Sequence, residues 1–289
     1  MTNQQGLWEP LGRVSAERLA DARRQLHWAA QAASAVGKRL LDHQPDYSEQ
    51  SFRWIEEARA LAQGTVSAAQ PFRSALRPSP PALLLLDGDG RTLRELPLDG
   101  HTLEEAFRWL EEEIAGLGRT LEPPLDRSAD IEPHPVSSGL PFSAADTDAF
   151  AELGAWFGNA HRLLTAVADQ NPGASAVRCW PHHFDIATLI SLEPGGDAET
   201  ARSIGAGLSP GDTGRPAPYF YVTPWPYPSP ENLPDLEGGG TWNTAGWVGA
   251  VLEAATLLDG TGGDPAHRAE RFAASAVAAC RTLLARGET

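Results

Sequence analysis

The chain has 289 residues and a formal charge of -15, with 38 acidic against 23 basic side chains. That balance excludes nucleic acid and anionic membrane surfaces as partners, because both are held by clustered basic residues. Without a run of about 18 apolar residues or the basic and apolar regions of a signal peptide, the expectation is a soluble, intracellular, cytoplasmic protein.

Cys179 and Cys280 are the only cysteines and lack CxxC spacing, so neither a disulfide framework nor a thiolate zinc site is indicated, and no cofactor is expected. Lys38 is the single lysine against 22 arginines. A chain drifting toward arginine keeps one lysine either by chance or where a compact ammonium is needed.

Ser15, with Glu17 in the first turn, starts a helix to about Leu41, and no charge falls between Arg24 and Lys38. His27, Gln31, Ser34 and Lys38 form a polar stripe along it at helical spacing, either a solvated edge or the wall of a wet internal cleft. Residues 51–66 mix alternation with helical pattern. Residues 82–86 and 92–98 read as a hairpin across Asp87-Gly88-Asp89-Gly90, and Thr102 with Glu105 forms a capping box opening a helix that closes at Gly116 and Gly118.

Residues 119–142 carry five prolines and no periodicity, which divides the chain into an amino-terminal half at 1–118, a connection at 119–142 and a carboxy-terminal half at 143–289. Ser143 and Asp146 precede a helix ending at Asn171-Pro172-Gly173, with His161 on its apolar face. Strands follow at 176–180 and 186–192, near Ser203 and at 218–222, then a stiff proline run from Pro224 to Pro230. Helices are expected at about 244–258 and, from Asp264-Pro265, to about Arg286. The fold class is α+β, a mainly antiparallel sheet flanked by helices, in two halves of similar order (helix, strands, helix) plus an extra C-terminal helix.

The stretch from Val177 to Pro226 concentrates reactive residues where strands turn. His183 with Asp185, or His182 with Asp212, has the chemistry for proton transfer near neutrality. The competing reading has the histidines bonding strand ends and Asp185 capping amides. A metal site of His182, His183 and Asp185 lacks any HExxH or His-x-His spacing. Gly211 and Asp212 sit in a glycine-rich turn able to cradle an anion or simply to reverse the chain, and it is no Walker loop. Trp180, Tyr219, Tyr221, Trp225 and Tyr227 supply core, wall or groove.

The runs VRCWPHHFDIATLI, GAGLSPGD and APYFYVTPWP resemble the uncharacterised bacterial family filed as domain-of-unknown-function family 5996. Gly37-Lys38, the TLEEAFRWL helix and Leu140-Pro141-Phe142 extend the likeness over roughly residues 15 to 230. The resemblance carries no activity. It implies that Gly37-Lys38, the run to Asp185 and Pro210-Gly211 belong to one layout. Relatives commonly carry other residues at His182 and His183, which shifts weight to Asp185, Lys38 and the Pro-Gly loop. The last helix lies outside the match and is a candidate for homodimerisation.

The reading is therefore a protein that takes a small polar or anionic molecule between its halves. His183, Asp185 and Lys38 are the candidate catalytic groups for lyase or hydrolase chemistry. His27, Gln31, Trp180, His182, Gly211, Asp212, Tyr219 and Tyr221 are the candidate binding groups. One rival is a non-catalytic interaction module using residues 218–234, and another is the metal-dependent enzyme.

Overall fold

In the computed structural model, which describes residues 8–193, 195, 200–261 and 263–286, Ser15 caps the first helix, α1 (Ala16–Leu40), by accepting from the Arg18 amide. The chain divides into two compact units. The amino-terminal unit is Arg13–Gly158 with Arg178–Phe184, and the carboxy-terminal unit is the described parts of Met1–Gly12, Asn159–Val177 and Asp185–Thr289. Residues 119–142, expected to connect two halves, belong wholly to the first unit. Arg127 holds them there by ion pairs to Glu104 and Glu111.

In the amino-terminal unit α1 is followed by β1 (Arg53–Ile55), β2 (Ala60–Ala62), β3 (Arg73–Arg77), β4 (Ala82–Leu86) and β5 (Thr92–Pro97). These five pair consecutively and antiparallel. The ambiguous stretch at 51–66 is thus a short hairpin. β3 was not legible in advance, because Arg73 and Arg77 break the apolar pattern of so short a strand. Next comes α2 (Leu103–Gly116), opened by the capping box that Thr102 and Glu105 predict.

Strand alternation assigns the two faces of this sheet. Ser74 and its even-numbered neighbours on β3 turn toward α1, where the Ser74 hydroxyl donates to the Ala33 carbonyl at 3.1 Å. The other face carries Ala62, Ala75, Leu84 and Leu86, all buried, in register with Arg53 and Arg73.

α3 (Thr147–Gln170) begins at Asp146, whose carboxylate accepts from the Ala149 amide at 3.1 Å. It contributes residues to both units. β6 (Arg178–Trp180) belongs to the first.

The carboxy-terminal unit contains β7 (Asp185–Ser191), β8 (Ser203–Ser209), β9 (Tyr219–Trp225), β10 (Thr241–Asn243) and β11 (Gly249–Glu253), antiparallel in the order β10-β11-β9-β8-β7. A single turn, α4 (Ala254–Leu257), precedes α5 (Pro265–Arg286), which packs on β8, β9 and β11 and carries the buried Phe272 and Ala276. The order helix, strands, helix recurs in the chain.

The helix expected at 244–258 is a correction. Trp247, Val251 and Leu258 share a helical spacing, but Ala250, Val251 and Leu252 instead pair with Val222, Tyr221 and Phe220. Gly249 permits it, since a Cβ there would stand 2.4 Å from the Trp247 ring and 2.7 Å from the Thr223 methyl. Sheet pairing of buried residues overrides a weak local preference. The proline run also differs: Pro224 lies within β9, opposite Ile204. Among the described residues no helix is long and apolar enough to cross a membrane.

Gly37 marks the closest approach to α1. A Cβ there would lie 2.2 Å from the Glu49 carbonyl oxygen and 2.3 Å from the Gln63 amide nitrogen. Gly37→Ala should therefore destabilise the protein by about 1–3 kcal/mol despite alanine's better helix propensity. The urea midpoint of unfolding measures it.

Candidate functional site

β6 meets the start of β1 through one antiparallel bridge, in which Phe52 and Cys179 exchange amide–carbonyl bonds of 2.9 and 2.8 Å. Both side chains are fully buried, so the next residues outward, Arg53 and Arg178, leave the opposite face side by side. On its other flank Arg53 pairs with Ala62 of β2. Beyond that, the Gln63 amide bonds the Ser74 carbonyl, which sets Gly64 opposite Arg73. Three guanidiniums therefore share one face, and between them β2 and the chain just after it present only the Ala62 methyl group and Gly64.

That missing bulk leaves a hollow of about 600 Å³, lined by Arg53, Arg73, Arg178, Ser51, Glu49 and Asp42 among others. The size suits a small metabolite. It lies wholly within the amino-terminal unit.

Burial, with Arg53 close by, lowers Arg73 from the usual arginine range. Burial and Arg53 do the same to Arg178. Arginine nonetheless stays charged. Like charges opposed across a strand pair are unfavourable. Asp46 offsets this for Arg178 without pairing with it, and among the described residues none of the three arginines takes part in an ion pair. The Arg73 Nε donates to the Gln63 carbonyl at 2.8 Å, and an Arg178 Nη donates to the Ser51 hydroxyl at 3.2 Å. These bonds orient the two groups and leave donors on each for a ligand.

Gln63, only 2% exposed, fixes the wall behind them. Its Nε2 donates toward the Ser34 and Gln50 carbonyls at 3.2 and 3.1 Å, and its Oε1 accepts from the Gly37 amide at 2.9 Å. Glu49 is buried as well. Burial opposes its ionisation, but bonds from the backbone and His43 outweigh that and hold the carboxyl below its usual range.

Of the residues singled out from sequence, most of those in this unit bond to nearby chain. The buried His27 Nε2 lies 2.7 Å from the Pro181 carbonyl, with its ring stacked on Phe184 at 5.2 Å, and the Gln31 amide donates to the same carbonyl at 2.6 Å. The Ser34 hydroxyl donates to the Gln50 carbonyl. Lys38 is half-exposed and pairs with Asp126 at 2.8 Å, which with Ser128 pulls that carboxyl far below its usual range. His182 and His183 are exposed neighbours with ring centres 4.4 Å apart, and Trp180 stands 6.1 Å from His182.

In the carboxy-terminal unit the Tyr221 hydroxyl reaches across Gly207 to donate to Asp185. Gly207 is required there, since a Cβ would sit 2.5 Å from the Tyr221 ring. Asp212 closes a turn by accepting from the Gly214 and Arg215 amides at 2.7 and 2.8 Å and from the Tyr219 hydroxyl at 2.8 Å. Burial and then Asp212 push Tyr219 up to about 12. Gly211 adopts a φ of +106°, with the Pro216 carbonyl 2.5 Å from where a Cβ would be. The turn thus uses its own amides on its own carboxylate rather than presenting them to an anion. Among the described residues no group of three or more His, Cys, Asp or Glu side chains is placed to hold a metal ion.

Comparison with protein-family models, curated proteins and solved structures finds no match for the chain.

Arg53, Arg73 and Arg178 were missed by the sequence reading. The signal for them is local: each follows an apolar residue and opens or sits in a short strand run, Phe52-Arg53-Trp54, Phe72-Arg73-Ser74 and Val177-Arg178-Cys179. Alternation then turns each arginine away from the buried side.

Burial holds His27 neutral down to about 4, although the Pro181 carbonyl opposes the shift. An unfolded histidine takes its proton near 6.5, so the unfolded state binds protons first as the pH falls. Stability present above about 6.5 should be lost progressively toward about 4, by about 3 kcal/mol from this group, and be flat below. Urea unfolding at pH 7, 5 and 4 should show that slope, and His27→Gln should flatten it.

Proposed function

We propose that this protein binds a small anionic molecule in the hollow of its amino-terminal unit, with Arg53, Arg73 and Arg178 as the recognising groups. The observation that carries the reading is three guanidiniums on one sheet face, two of them half-buried, with no ion-pair partner among the described residues. A phosphate or carboxylate would neutralise the mutual repulsion and take bidentate bonds that water matches poorly. The ligand class agrees with the expectation from sequence. The residues assigned to it are different, and no reaction is assigned to them.

The chain's overall charge of -15 sharpens the proposal. Long-range attraction works against an anion here, so affinity must come from the local cluster. Inorganic phosphate, titrated calorimetrically at low ionic strength, should bind at one site. The Arg53 side chain is exposed and makes no hydrogen bond among the described residues, so Arg53→Ala should leave the circular dichroism spectrum unchanged while weakening phosphate about 10- to 100-fold. Equal affinity in the variant would overturn the reading.

The rival interaction-module reading draws support from Trp225 and Tyr227, 42% and 49% exposed and packed edge to face at 5.4 Å. Paired Trp225→Ala and Tyr227→Ala substitutions that abolish binding of a purified partner and leave phosphate binding intact would favour it.

A further inference from the structure

The hollow carries charge of both signs, separated from one another. Arg53, Arg73 and Arg178 line it, and so do Asp42 and Glu49. Among the described residues neither carboxylate pairs with any of the three arginines. Glu49 is buried, and its oxygens accept from His43 Nδ1 at 3.2 Å and the Gln44 amide at 3.1 Å. The exposed Asp42 carboxylate makes no hydrogen bond or ion pair among the described residues. Asp42 lies two residues beyond Leu40, the last residue of α1, and the free carbonyls of a helix C-terminus add partial negative charge of their own. A ligand that is only an anion would answer the arginines of this space and be repelled by its carboxylates.

Resting on the anion reading above, we propose that the ligand is zwitterionic, with its phosphate or carboxylate on the arginines and an ammonium directed to Asp42 and Glu49. The ammonium is a compact donor of three bonds, and it satisfies a carboxylate that the fold leaves without a partner. The ligand's anionic group would in turn give the three arginines the paired counter-charge that no side chain among the described residues supplies. The two carboxylates line the same hollow as the guanidiniums and pair with none of them among the described residues, so both sets of charge are open to one small molecule.

Calorimetry on the intact protein at pH 7 with four probes tests this: ethyl phosphate, 2-aminoethyl phosphate, butyrate and 4-aminobutyrate. The amine should improve affinity about three- to tenfold within the phosphate pair, the carboxylate pair, or both, and the pair that shows it identifies the head group. Asp42→Asn, at an exposed position that folding does not require, should abolish that preference and leave the amine-free probe as tight or tighter. Glu49→Gln should act in the same direction if it folds. Should ethyl phosphate and butyrate both fail to bind, the anion reading itself falls and this one with it. Should they bind while the amine adds nothing, or should the preference survive Asp42→Asn, the anion site stands and the zwitterion is wrong.

Discussion

The structure of the site depends on one buried amide, that of Gln63. Its nitrogen is shared among carbonyls of α1 and of the turn at residues 48–50, its oxygen takes an amide of α1, and its own main-chain carbonyl takes Arg73. A buried polar group left unsatisfied is costly, whereas a fully bonded one fixes geometry. Gln63 thereby sets the spacing between helix, turn and strand, and Gly37 supplies the clearance that the spacing requires. The position of Glu49 and the orientation of Arg73 both follow from this contact.

Against that scaffold, the three arginines are an arrangement that stability alone would not select. The other buried or half-buried arginines are mostly provided for: Arg23 by Glu132, Arg268 by Asp259 and Arg215 by Glu253. Arg53, Arg73 and Arg178 are set around a space instead, with small residues beneath. Such a departure from the chain's own habit is the kind of local conflict that accompanies function.

Much of the fold was legible because its signals are short-range. Ser15, Thr102 with Glu105, Asp146 and Asp264-Pro265 each open a helix where a capping residue meets a periodic run. The hairpin around Asp87-Gly90 is set by its turn. Long-range pairing was not legible. Residues 249–253 are strand only because β9 offers them an edge, and Val251 carries no mark of that in its neighbours. The site failed for the same reason. Arg53 and Arg178 are brought together by the bridge between Phe52 and Cys179, a pairing across more than a hundred positions. His27, Gln31 and Ser34 were correctly grouped on one stripe, but what they meet is main-chain carbonyl, as buried polar groups usually do.

The seven residues from Arg178 to Phe184 belong to the amino-terminal unit although the chain on either side of them belongs to the other. They supply one of the three guanidiniums and the carbonyl that His27 and Gln31 share. Neither unit is thus a continuous stretch that could be excised, shuffled or inherited by itself. A gene fragment stopping at Gly158 would encode the five-stranded sheet and lack Arg178 and Pro181, so the two units are bound to travel together through recombination as one piece.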